Sequence, residues 1–105
     1  MVAQSIQDTI KTTVHSFIPD ARILLFGSMA RGDANEDSDY DILVIIPKTL
    51  PPKIKLEWKG KLNSELVDVL KAPVDLLINS EEEIKKKREL PGPVIQWAIE
   101  EGIQL

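Results

Sequence analysis

Three carboxylates occupy positions where ordinary packing explains them poorly. Asp39 and Asp41 stand two residues apart where a long apolar run begins, and Asp75 stands one residue inside another apolar run. Side chains alternate along a strand, so Asp39 and Asp41 point to the same face at the strand's start. If the strand holding Asp75 is its neighbour, the three carboxylates converge, and their mutual repulsion calls for a cation among them. A lone charge buried in an apolar strand costs several kcal/mol, so Asp75 in particular asks for a ligand or a partner. The chain has no cysteine, so any metal must sit on oxygen or imidazole. Magnesium suits the cluster, because it takes one or two carboxylates and completes its shell with substrate phosphates and water. Two such ions about 4 Å apart stabilise both the attacking and the leaving oxygen of an in-line displacement at phosphorus.

The segment Gly27-Ser28-Met29-Ala30-Arg31-Gly32 supplies a complementary half. An apolar strand that ends in Gly-Ser and passes into a helical turn presents backbone N–H groups and a hydroxyl to a phosphate. Gly27 permits close approach, and Arg31 can add a bidentate contact to a phosphate oxygen, with a surface ion pair to an acid of the 33–39 loop as the alternative. Each piece alone is common: Gly-Ser usually just ends a strand, and paired aspartates usually cap a turn.

These residues need a frame. Val2, Ile6, Ile10, Val14 and Phe17 recur at helical spacing, which predicts a first helix over 2–18, stopped by Pro19-Asp20. Ile23-Leu24-Leu25-Phe26 is apolar without alternation, as a strand covered on both faces would be. Residues 32 to 38 are polar and turn-forming, and a second buried strand runs from Asp41 to Ile46, closed by Pro47. Residues 53–71 place Ile54, Trp58, Leu62, Leu66 and Val69 on one helical face, despite the propensity cost of Gly60. A third strand is predicted over Val74 to Ile78, linked to the second by that helix. Ser80-Glu-Glu-Glu83 matches a capping box and should open another helix. Pro91-Gly92-Pro93 separates it from a short last helix ending at Gly102, and Ile103-Gln104-Leu105 can add an edge strand. The sum is a single α/β (α+β) domain over 1–105, a small mixed sheet with flanking helices.

Composition narrows the function classes. A chain of 105 residues, 43% hydrophobic and 29% charged, builds one modest core and has no room for a second domain to grip an acceptor. The net charge of −4 disfavours a broad grip on nucleic acid, and Lys85-Lys86-Lys87-Arg88 follows Glu81-Glu82-Glu83 in the order that suits a helix dipole. No apolar run approaches the roughly 20 residues of a spanning helix, and the start resembles no signal peptide, so no membrane is expected and the expected location is cytoplasmic. The lone His15 has no metal-ligand spacing around it, and Trp58 and Trp97 fall at helical positions shared with core residues. Tyr40, between the two aspartates, faces the other side of its strand.

Gly27-Ser28, ten residues, then Asp39-Tyr40-Asp41, with Ala30-Arg31-Gly32 between and Asp75 in a later strand, resembles the signature of the minimal nucleotidyltransferases of the DNA polymerase β superfamily. The resemblance runs over nearly the whole chain. It implies the palm-like nucleotidyltransferase fold of that superfamily, with a nucleoside triphosphate between the Gly-Ser turn and two magnesium ions, manganese being the other candidate. It further implies that Ser28 holds the terminal phosphates, that Asp39 and Asp41 bridge both ions, and that Asp75 binds the catalytic ion and assists the attacking hydroxyl. Stand-alone members of this size are typically encoded beside a HEPN protein, an all-helical ribonuclease toxin, and act as its antitoxin. Some transfer AMP from ATP to a tyrosine of that partner, which is the specific expectation here. Two other readings stay open: a binding antitoxin that occludes its partner without chemistry, and a catalytic subunit for a small-molecule hydroxyl. A homo-oligomer is compatible with all three.

Overall fold

The computed structural model describes residues 3–27, 39–89, 99–100 and 102–105. In chain order its elements are α1 (Gln4–Phe17), β1 (Arg22–Phe26), β2 (Tyr40–Ile46), α2 (Pro52–Leu70), β3 (Val74–Ser80), α3 (Glu81–Glu89) and β4 (Ile103–Gln104). The four strands form one mixed sheet in the order β3-β2-β1-β4. β1 is antiparallel to β2 and to β4, whereas β2 and β3 are parallel. A parallel pair needs a crossover connection, and α2 is that crossover.

The unalternating strands are covered on both faces. Ile23, Leu25, Ile42, Val44 and Ile46 pack with Ile10 and Val14 of α1 and Leu62 and Leu66 of α2. Leu24, Phe26, Leu43 and Ile45 face the other way, towards Ile84 of α3 and the partly buried Ile99. β1 stays interior because the tail supplies β4: Leu25 pairs with Ile103, and the Leu105 N–H donates to the Ile23 carbonyl at 2.9 Å.

Three helix positions depart from the sequence pattern: Phe17, at the end of the apolar stripe of α1, is 41% exposed, and the other two lie in α2. Ile54 and Val69, expected on the buried face of α2, are 40% and 38% exposed. The packed residues are Trp58, Leu62, Leu66 and Leu70, a strict four-residue spacing. Such a stripe drifts by about 40° per step, so the first and last turns of a 19-residue helix cannot share one line of contact with a small sheet. The capping box forms as the sequence predicts: the Ser80 N–H donates to Glu83 Oε1 at 3.0 Å and the Glu83 N–H to Ser80 Oγ at 3.1 Å. β3 therefore runs straight into α3 without a loop. His15 sets a ring nitrogen 3.0 Å from the Ala21 carbonyl, tying the end of α1 to the start of β1. Trp97, the 91–93 break and the 32–38 loop lie outside the described residues.

Candidate functional site

The topology brings the strand-borne carboxylates to one end of the sheet. Tyr40 donates its N–H to the Pro73 carbonyl at 3.0 Å, which starts the parallel ladder and fixes its register. In that register Asp41 is the direct neighbour of Asp75, and on its other side it pairs with Phe26, the last residue of β1. Phe26, Asp41 and Asp75 thus form one row across three strands, with backbones about 4.8 Å apart. The row faces the α3 side, opposite Tyr40, whose ring is buried with the core of the α1 and α2 side.

Asp39 sits one residue before β2 and is exposed, Asp41 is partly buried, and Asp75 is exposed. Asp75 therefore bears no interior desolvation cost, contrary to the expectation from its place in an apolar run. It occupies the second position of β3, where the buried part of the strand has not yet begun. What singles it out is the register with Asp41. Nor do the three carboxylates form a closed cage: among the described residues no three acidic or histidine side chains form a group that could hold a metal ion. The donor chemistry still fits a hard divalent ion, because paired carboxylates are enough when phosphate oxygens and water complete the shell.

Gly27 completes the described part of the site. It follows Phe26 directly and has φ +74°, a left-handed conformation that favours glycine. A side chain there would also collide with the Asp41 carboxylate. The carboxylate thus lies against bare backbone, and the end of β1 and the start of β2 form a single unit. Ser28 and Arg31, the expected phosphate-binding residues, lie outside the described residues. The close approach of Gly27 and Asp41 escaped the sequence reading in its particulars, although a glycine ending an apolar strand signalled that something must come near.

At the far end of the sheet the chain is braced by polar contacts. Lys55 of α2 pairs with Glu83 at 3.0 Å, and the hydroxyls of Thr49 and fully buried Ser80 lie 2.6 Å apart. Burial pushes Glu83 up, but the Ser80 N–H and the Lys55 ammonium outweigh it and hold its carboxyl below the ordinary value. This bracing is remote from the carboxylate row, because β2 and β3 both run away from that row.

With this geometry in place, the relatives of the chain become informative. The family model described as "Nucleotidyltransferase domain" matches residues 8–101. A protein of Methanocaldococcus jannaschii named "Putative protein adenylyltransferase" is 40% identical over 55 residues, which are 50% of this chain. The match spans only 56% of that relative's length. A chain of a toxin–antitoxin crystal structure with AMP-PNP superposes with a TM-score of 0.71 at 26% identity, over 93% of this chain and 70% of that one. A chain from the complex of tri-AMPylated Shewanella oneidensis HEPN toxin with MNT antitoxin gives a TM-score of 0.66 at 24% identity, over 96% and 69%. At that identity the second likeness is one of fold.

Proposed function

The chain belongs to the nucleotidyltransferase domain family, and from that premise we propose that it transfers AMP from ATP to a hydroxyl, a tyrosine in particular, of a HEPN-family toxin and so acts as its antitoxin. The observation that carries the reading is the row at the sheet's end, where Asp41 stands in register with Asp75 and against Gly27. Relatives support the choice of nucleotide and partner. One is named as a protein adenylyltransferase, one neighbouring complex holds AMP-PNP, and another contains an AMPylated HEPN toxin.

In the proposed reaction the acceptor oxygen attacks the α-phosphorus of ATP, the bond from that phosphorus to the bridging oxygen breaks, and pyrophosphate leaves. Asp39 and Asp41 would hold divalent metal, magnesium or manganese, and Asp75 would share in that binding and take up the proton of the incoming hydroxyl. When bound, the metal neutralises charge on the attacking and leaving oxygens. Gly27, Ser28 and Arg31 receive the phosphates, the glycine by close approach of its backbone and the other two by hydroxyl and guanidinium contacts. Holding acceptor and phosphorus in line is the main task left to the protein, since effective concentration and fixed dipoles supply most of the acceleration in such transfers.

The test is incubation of the purified chain with α-labelled ATP and magnesium, with and without a HEPN-family protein from the same organism. Label is expected on the partner, and none when Asp39→Ala or Asp41→Ala replaces the wild type. The second reading is neutralisation by binding alone. It predicts a stable, unlabelled complex that both alanine variants form equally well.

A further inference from the structure

Lys71 stands where the fold calls for a different residue. It closes α2 in the left-handed conformation, at φ +52°, and its N–H donates to the Val67 carbonyl at 2.8 Å. Helix ends use this turn often, but glycine or asparagine usually makes it, because a Cβ is crowded there. Among the described residues Lys71 is the one non-glycine residue with positive φ. The helix end accounts for the conformation and leaves the choice of lysine unexplained. Nor is the side chain used within the fold: it is exposed and makes no ion pair or hydrogen bond among the described residues.

The topology puts this residue at the carboxylate end of the sheet. α2 carries the chain from the far end of β2 back to the start of β3, so its last turn lies at the end where Asp41 and Asp75 stand in register. Lys71 precedes Asp75 by four residues, and the turn between them is tied to the start of β2, directly after Asp39, by the Tyr40 N–H on the Pro73 carbonyl. Arg22 of β1 is at the opposite end of the sheet, paired with Glu81. Of the three described segments that meet at the row, only the one leading into β3 brings a cation to it. β3 is also the outermost strand, so Asp75 ends the row on the side away from Gly27. The phosphates belong to the Gly27 side, which leaves the β3 side for the acceptor.

We propose that Lys71 is a specificity residue for the acceptor, its ammonium meeting an acidic side chain beside the hydroxyl that attacks ATP. The aspartates of the site repel an acceptor that carries such a residue, and a lysine on the acceptor's side offsets that repulsion. The proposal rests on the reading that a protein supplies the hydroxyl, and adds which feature of that protein is read. Lys71 acts on the encounter with the acceptor and leaves the chemistry at phosphorus to the aspartates.

The experiment is steady-state transfer of label from α-labelled ATP to a HEPN-family protein from the same organism, with the KM for each substrate and the melting temperature of each variant. Lys71→Gly is expected to raise the melting temperature by a few degrees, since glycine takes positive φ without strain, and yet to raise the KM for the partner about 5-fold, with kcat and the KM for ATP as in the wild type. Lys71→Glu should raise the partner's KM about 20-fold, and Lys71→Arg should keep it near the wild-type value. Lys48→Glu changes the net charge equally at the far end of the sheet and should leave it unchanged. Added salt should raise the partner's KM more for the wild type than for Lys71→Gly. A Lys71→Gly chain with the wild-type KM for the partner would overturn the assignment, and so would a rise confined to the KM for ATP, which would move the cation to the phosphates. Equal effects of Lys48→Glu and Lys71→Glu would overturn it too, by reducing it to overall charge. Wild-type protein that labels no partner would remove the acceptor reading and the role of Lys71 with it, a failure visible before any variant is compared.

Discussion

Replacing Gly27 with alanine should damage fold and site together, and the two parts can be separated. The left-handed φ of +74° costs a residue with a Cβ about 1 to 2 kcal/mol. The collision between the new methyl and the Asp41 carboxylate adds about 1 to 3 kcal/mol of overpacking unless the carboxylate moves. Gly27→Ala should therefore cost about 2 to 5 kcal/mol in the wild-type background. In an Asp41→Ala background only the backbone part remains, about 1 to 2 kcal/mol. Urea denaturation of the four proteins measures both costs, and the cycle should give a coupling of about 1 kcal/mol or more between the two sites. Equal costs in the two backgrounds would refute the claim that the carboxylate rests on the glycine. The variant should also lose AMP transfer, because Asp41 can keep its place only if the glycine backbone stays bare.

Asp75→Asn removes a charge from an exposed position, so stability should change by less than about 0.5 kcal/mol while transfer falls at least 100-fold; thermal melts beside the labelling assay check both. Leu66→Ala should cost about 2 to 5 kcal/mol in denaturant unfolding, since the side chain is fully buried between α2 and the sheet. The contribution of Glu83 depends on pH in a defined direction. Its carboxyl is held below its ordinary value in the fold, so that stability is present at neutral pH and above the unfolded value, and is lost as pH falls through the lowered folded value. Glu83→Gln should therefore flatten the acid limb of a stability-against-pH curve below about pH 4, where Glu ordinarily titrates.

The strands could be read from the chain because they are short, apolar and covered on both faces, and the capping box because its partners are three residues apart. β4 was legible only as an allowance, since two residues of strand exist through their pairing with β1. The exposure of Ile54 and Val69 was not visible, because the line of contact follows the four-residue spacing from Trp58 to Leu70, which takes the place expected for Val69 and leaves Ile54 off the sheet. At the site, the spacing of Asp39 and Asp41 announced a shared face, and Asp75 was argued both from a neighbouring strand, which the sheet provides, and from burial, which it does not have. Its significance comes from strand register, a long-range property no local pattern encodes. The contact between Gly27 and Asp41 is likewise set by β1 pairing with β2 across a fourteen-residue separation. Sequence showed which residue types gather there; topology decides which of them touch.

The most direct test is the intact mass of the proposed HEPN-family partner after co-expression with this chain or with its Asp41→Asn variant. The account predicts partner heavier by one or more AMP units with the wild type, on a hydroxyl side chain, and unmodified partner with the variant. Partner of unmodified mass in both cultures, held in a stable complex, would contradict nucleotide transfer as the means by which this protein acts.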